Sequence, residues 1–283
     1  MTIQPRRKVL ITGAAGGMGR ACARLLGAQD DLVLTDITDA TLQAFADELR
    51  KDAYNVVAHA GSIGDPGLLA KLVEELADEN GGGAPFAVVH TAGLSPSLAD
   101  WRAIMDVNLV ASVKLLDALE PVLTPGSVAV LIASSAGHLM PPNPQIDGIL
   151  ADPLAEGFFD AIGGVIAGMG PAEAAGGISY TLSKRAVHSL CQARSLAWGP
   201  KGARIASISP GMILTPMGQS EMDNTHGAKA LLDATPVGRI GMPMDIAMAA
   251  QFLCSPAASF ISGTDLLVDG GGTAGMKAAM AGG

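Results

Sequence analysis

Short apolar runs alternate along the chain with longer segments of helical period. Residues 8–12 form the first apolar run, which stops at the glycine-rich segment 12–19. Met18, Cys22, Leu25 and Leu26 then fall on one helical face. Residues 32–35 read as a second strand that ends at Asp36. A helix over 38–51 follows, with Leu42, Phe45, Ala46 and Leu49 on one face and a Thr or Asp cap near its start. The same reading predicts a strand at 55–60, a helix at 66–80 closed by the glycines 81–83, and a strand at 86–91. A mostly helical stretch at 98–119 and a fifth strand at 127–133 come next.

The pattern then breaks. Residues 138–177 are rich in Pro, Gly and Ala, with one helix around 154–166. Regular structure resumes with a helix near 179–198 and a strand at 204–209. A mobile stretch from 212 to 240, a helix at 244–254, a strand at 265–268 and a loosely held tail from 270 to 283 complete the reading. Met242, Met244 and Met248 are assigned to helix core. Strand–helix alternation predicts an α/β fold, a doubly wound parallel sheet of about seven strands with helices on both faces. No linker divides the 283 residues, so one domain is expected, with 138–177 as an insertion.

Composition narrows the function classes. A net charge of -9 argues against nucleic-acid and anionic-membrane partners, and 4% aromatic residues leave little for stacking on bases. The mean hydropathy of +0.36 requires a check for membrane spans. The longest stretch without a charged residue, 121–146, holds Pro121, Pro125, Pro141, Pro142 and Pro144, and its densest apolar part is only strand-length. Arg6, Arg7 and Lys8 lead into three apolar residues before Thr12, which is not a secretory pattern. Three distant cysteines and five histidines without paired ligand spacing predict neither a disulfide framework nor a metal site. A cytoplasmic protein is expected.

The candidate chemistry lies where strands end. Segment 12–19 joins the first strand to the first helix, where glycines let backbone N–H groups approach a pyrophosphate. Asp36 stands 17 residues after Gly19, at the end of the second strand. A carboxylate there accepts both hydroxyls of an adenosine ribose and repels a 2′-phosphate, which favours NAD over NADP. Tyr180 and Lys184, four apart in YTLSK, share a helix face. An ammonium beside a phenol favours the phenolate, a general acid/base for a hydroxyl/carbonyl pair. Ser134 and Ser135 follow the fifth strand, where either can reach a substrate oxygen, and Asn108 lies inside the preceding helix.

Together, in order, these segments resemble the short-chain dehydrogenase/reductase family from Lys8 to about Gly271. The matching segments are TGAAGGMG, Asp36, HTAG at 90–93, VNL around Asn108, IASSAG, YTLSK, SPGMILTP at 209–216, PVGRIGMP and GTDLLVDGG. Gly13, Gly17 and Gly19 fit the TGxxxGxG form of the shorter branch, while Gly13, Gly16 and Gly19 fit the TGxxGxxG form of the extended epimerase branch. The length and the C-terminal segments favour the shorter one. The resemblance implies a Rossmann-type fold and NAD-dependent interconversion of a secondary alcohol and a ketone. It assigns Tyr180 as acid/base, Lys184 to the nicotinamide ribose and tyrosine, Ser134 to the substrate oxygen and Asn108 to a proton-relay water. Cofactor contacts are implied for Gly13, Gly16, Gly17, Met18, Gly19, Asp36, Ile37, Ile63, Ala92, Gly93, Tyr180, Lys184, Ile213 and Thr215. A homotetramer or homodimer is also implied.

Three departures stand out. Ser62 replaces an adenine-binding Asp, His90-Thr91 replaces two asparagines, and Ser134 and Tyr180 are 46 positions apart because of the insertion. The insertion is expected to be a lid or substrate-pocket wall, and a similar lengthening in bacterial hydroxysteroid dehydrogenase/carbonyl reductases suggests a bulky alicyclic or steroid-like substrate. The alternative is a non-catalytic NAD(H)-binding sensor or partner protein on the same fold.

Overall fold

The computed structural model describes residues 6–77, 84–224 and 226–282. The predicted end of the helix at 66–80 and its glycine triplet therefore fall largely outside the described residues. Seven strands form one parallel sheet: β1 (Lys8–Thr12), β2 (Asp31–Asp36), β3 (Val56–Ala60), β4 (Ala87–His90), β5 (Val128–Ile132), β6 (Arg204–Pro210) and β7 (Thr264–Val268). Their order is β3-β2-β1-β4-β5-β6-β7. Leu10 of β1 sits in register with Val33 of β2 and Val88 of β4. The strand order reverses at β1, so a crevice opens at the carboxyl ends of β1 and β4.

The two-residue side-chain period of a strand explains the layers. Val9 and Ile11 pack in a core on one face of the sheet, with residues of the helices Gly17–Leu26, Asp39–Lys51 and Pro243–Cys254. Leu10 points the other way, into a core shared with the helices Pro66–Leu76, Ala111–Leu119 and Ala175–Trp198. Both faces of the sheet are covered, which is why its strands are nearly continuous apolar runs.

The insertion is more regular than its composition suggests. It carries two helices, Pro144–Leu150 and Phe158–Met169, where one was expected. Pro144 occupies the first turn, and the Asn143 side chain accepts from the N–H groups of Gln145 and Ile146. Leu150, Phe158, Ile162 and Ile166 are buried in a third core with Met105, Leu109, Val113, Leu182 and Ala186. Most of the insertion is thus anchored on the helices around Asn108 and Tyr180.

Three further expectations change. The stretch 212–240 contains the helices Pro216–Asn224 and His226–Asp233. The tail is the helix Gly272–Gly282, and the Asp269 carboxylate accepts from Gly271 N at 2.9 Å and Thr273 N at 2.7 Å at its start. Met242, Met244 and Met248 are not core: each is more than 40% exposed, while Ile246, Ala247, Ala250 and Leu253 of the same helix are buried. Met244, Met248 and Phe252 recur every four residues and line the helix face turned away from the sheet. Among the described residues, no helix is long and apolar enough to cross a membrane.

Candidate active site

The glycine segment packs too closely for side chains. Gly13 has φ +62°, and a Cβ there would lie 2.8 Å from Ala92 N. A Cβ on Gly17 would lie 2.7 Å from the Thr215 methyl, and one on Gly19 only 2.2 Å from Gly13 O. The helix Gly17–Leu26 begins at Gly16 with no side-chain cap, so its positive end faces the crevice. Asp36 ends β2, and its Oδ2 accepts from Ala15 N at 2.9 Å, which fixes the carboxylate against the glycine turn.

A cleft of 580 Å³ lies over this cradle. Its walls contain Gly13, Gly16, Gly17, Met18, Gly19, Asp36, Ile37, Ile63, Ala92, Gly93 and Thr215. Ser62 is there too, where the family often has an acid. Asp36 is the one charged side chain among the described lining residues. Nearby Arg20 is turned away: its Nε donates to Ala15 O, and its guanidinium lies over the Phe45 ring within 3.8 Å of Glu48.

A second cleft of 380 Å³ adjoins the first and shares Met18, Thr91, Gly93, Leu94, Thr215 and Met217 with it. Ser134, Tyr180, Lys184 and Ile213 line it. Tyr180 and Lys184 lie on one face of the helix Ala175–Trp198. Lys184 is buried, its Nζ donates to Ile132 O at 2.8 Å, and Nζ is 5.8 Å from the centre of the Tyr180 ring. Ser134 caps the short turn Ser135–His138, and its Oγ accepts from Ala136 N. Ser135 lines the same cleft but is more deeply buried. Met276 from the C-terminal helix and Leu231 also line it.

Asn108 is not on the cleft wall. It sits in a π turn, Asp106–Val110, that interrupts the predicted helix. Its Oδ1 accepts from Leu94 N at 2.8 Å, and its Nδ2 donates to Leu94 O and Ser183 Oγ. The side chain therefore ties the strand-end loop at 94 to the residue beside Lys184. A wider π turn is a recurrent feature of functional sites.

Sequence reasoning missed His90 as a connector. Its Nδ1 is 2.7 Å from Thr12 Oγ1 and its Nε2 is 2.8 Å from Ser112 Oγ. Ser112 Oγ donates its one proton to Asn108 O, so it accepts from His90 Nε2–H, and Thr12 Oγ1 donates to Nδ1. The imidazole is thus neutral in a single tautomer. Burial, with Lys184 adding repulsion, pushes its pKa down to about 3. No local signal could reveal this, because the partners are 78 and 22 residues away.

A pH dependence follows. Burial also pushes His188 down to about 4, against the opposing pull of Asp265. Both side chains regain an ordinary pKa near 6.5 on unfolding. Below that pH the unfolded chain binds more protons, so the stability these sites contribute is complete above it and is lost as pH falls toward 4 and then 3. Each histidine costs up to about 1.4 kcal/mol per pH unit in that window. Denaturant midpoints measured from about pH 7.5 to 5 are expected to fall, and a flat profile contradicts the assignment.

Known proteins give the family. A family model described as "short chain dehydrogenase" matches residues 7–145, and one described as "Enoyl-(Acyl carrier protein) reductase" matches residues 166–273. The interval between the two matches falls inside the insertion. The chain is 30% identical over 281 residues to "Short-chain dehydrogenase/reductase bsc3" of Alternaria brassicicola, covering 95% of this chain and 96% of that protein. It is 32% identical over 269 residues to "3-alpha-hydroxysteroid dehydrogenase/carbonyl reductase" of Comamonas testosteroni, covering 93% and 95%. A solved short-chain dehydrogenase/reductase from Brucella melitensis superposes with a TM-score of 0.71 at 29% identity, covering 96% of this chain and 99% of that one. The chain belongs to the short-chain dehydrogenase/reductase family, a family of oxidoreductases.

Proposed function

We propose that this protein is an NAD-dependent dehydrogenase that interconverts a secondary alcohol and a ketone. The observation that carries the reading is the junction of two clefts: a glycine cradle whose one lining charge is Asp36, and a chamber lined by Ser134, Tyr180 and Lys184. The cradle fits a dinucleotide, because Gly13, Gly17 and Gly19 let the turn pack tightly against Ala92, Thr215 and itself beneath the 580 Å³ cleft that they line. Gly13, Gly16, Gly17, Met18 and Gly19 would hold the pyrophosphate side, with Ile37, Ile63, Ala92 and Gly93 around the adenosine. Lys184, Ile213 and Thr215 would meet the nicotinamide half. When bound, the nicotinamide accepts or returns a hydride.

The chain supplies position and proton transfer. Ser134 Oγ hydrogen-bonds the substrate oxygen and turns it toward Tyr180. Tyr180 Oη removes the hydroxyl proton in oxidation and returns it in reduction. The Lys184 ammonium favours the phenolate that does this. Asn108 keeps Leu94 and Ser183 in place behind the chamber.

Substrate chemistry follows from the walls. A third cleft, of 410 Å³, shares Ala136, Leu139 and Thr181 with the Tyr180 chamber and extends into the insertion along Met140, Ile146 and Met169. Lys184 is the one charged side chain among the described lining residues of the two. A bulky, uncharged alicyclic or steroid-like alcohol suits this space. The relative from Comamonas testosteroni, named for a hydroxysteroid, supports that class. In this reading the insertion 138–177 is a pocket wall. Assembly as a homodimer or homotetramer in the cytoplasm completes the reading and rests on the family.

Calorimetric titration with NADH and NADPH in parallel tests the cofactor half. Two unit charges about 4 Å apart repel by about 1 kcal/mol in water and about 4 kcal/mol near a protein surface. NADH is therefore expected to bind at least about fivefold tighter than NADPH. Equal affinities, or a preference for NADPH, would remove the role given to Asp36.

A further inference from the structure

We infer that His138, His188 and Asp265 form a binding site for one divalent transition cation of the zinc type, separate from the dinucleotide and substrate clefts. The three residues come from three elements. His138 ends the turn Ser135–His138, His188 lies one helical turn beyond Lys184, and Asp265 sits on β7 in register with Ser207 of β6. None of the three lines the dinucleotide or substrate clefts described above.

Their donor atoms already converge. His138 Nε2 is 2.8 Å from Asp265 Oδ2, and His188 Nε2 is 3.5 Å from Asp265 Oδ1. The imidazole centroids are 4.5 Å apart, and one donor atom from each residue lies within 4.8 Å of the others. A tetrahedral zinc with bonds near 2.0–2.1 Å needs ligand atoms roughly 3.3 Å apart. The two histidine–carboxylate distances involve different oxygens of Asp265, so rotation of the carboxylate and the imidazoles must bring one oxygen and both nitrogens from within 4.8 Å to that spacing. Two imidazoles and one carboxylate leave a fourth position for water, and the side chains are 27%, 16% and 10% exposed, enough for entry. Imidazole donors select zinc, cobalt or nickel over magnesium and calcium.

Charge points the same way. Among the described residues, the ion-pair contacts of Asp265 are with these two imidazoles alone. The neighbouring guanidinium of Arg185 is taken by Asp147 through two contacts of 2.8 Å. A divalent cation would be a further positive partner for this carboxylate. Outer support is also present: Ser207 Oγ donates to Asp265 Oδ1, and Ser209 Oγ lies 2.9 Å from His188 Nε2 and would yield that nitrogen to the metal. Bound there, the ion would clamp the turn that follows Ser134 to the helix that carries Tyr180 and Lys184.

Metal-stripped full-length protein should be titrated with Zn²⁺ by calorimetry and with Co²⁺ by visible absorption, alongside His188→Ala and Asp265→Asn. The expected result is one equivalent of Zn²⁺ with competition by Co²⁺ and none by Mg²⁺, a raised thermal midpoint, and affinity at least tenfold weaker in both variants. Each variant must first show one cooperative thermal transition, and His138→Gln replaces any that does not. Absence of saturable Zn²⁺ binding in the wild type overturns the inference. So does binding that is unchanged in the folded variants, since the ion then sits elsewhere.

Discussion

Tyr180→Phe is expected to lower alcohol oxidation by roughly 10²–10⁴-fold, the usual contribution of a positioned acid/base. The substitution removes one oxygen and keeps the ring, so packing around it is conserved. Tyr180 lines the chamber next to Ser134, and the buried Lys184 ammonium lies 5.8 Å from its ring centre. Phenylalanine leaves no group there to take the proton. NADH affinity should stay within about twofold, because the glycine cradle is in the adjoining cleft. Parallel initial rates and NADH titrations separate the two effects. Turnover within a few-fold of wild type excludes Tyr180 as the acid/base. Loss of NADH binding along with turnover means that the hydroxyl serves the cofactor and not the proton.

The second large effect is expected from Gly19→Ala. The new methyl would lie 2.2 Å from Gly13 O and 2.8 Å from Ala14 Cα. Both atoms belong to backbone, so no side-chain rotation relieves the overlap and the turn itself must shift. Overpacking of this kind costs about 1–3 kcal/mol. The shift also displaces the first-turn N–H groups that face the crevice, so dinucleotide affinity should fall by at least tenfold. Gly164→Ala is the control. It lies in the helix Phe158–Met169 with open space around its Cβ position, and should stabilise the protein by about 0.4–1 kcal/mol. Wild-type affinity in Gly19→Ala contradicts the close-packed cradle.

Much of this architecture was legible because it is written in local periods. The strands around the cradle are apolar runs buried on both faces, and the helices between them repeat at three and four residues, so the alternation needed no tertiary knowledge. The glycine segment, Asp36 and the Tyr180–Lys184 pair were also local patterns. What escaped depends on contacts far apart in the chain. The helix Gly272–Gly282 is rich in Gly and Ala and lacks an apolar stripe. It starts where Asp269 caps it, and a Cβ on Gly275 would be 2.0 Å from Ala234 O. Pro144 reads as a breaker, yet it begins a helix because Asn143 caps it. Met244 and Met248 fit a core in composition, and only the placement of Ile246 and Ala250 against the sheet decides which face is exposed. His138 and Asp265 are 127 residues apart, so their pairing left no trace in ligand spacing.

In the proposed function, Ser134, Tyr180 and Lys184 act on a secondary alcohol beside a site that prefers NAD. Steady-state formation of reduced cofactor tests it most directly, with NAD⁺ and NADP⁺ in parallel over secondary alcohols graded from cyclopentanol to fused-ring carbinols. The expected result is turnover with NAD⁺, slower turnover with NADP⁺, and kcat/KM that rises with the size of the uncharged ring system. A protein that binds NADH but oxidises none of these alcohols, and reduces none of the matching ketones, contradicts the account and leaves the NAD(H)-sensor reading in its place.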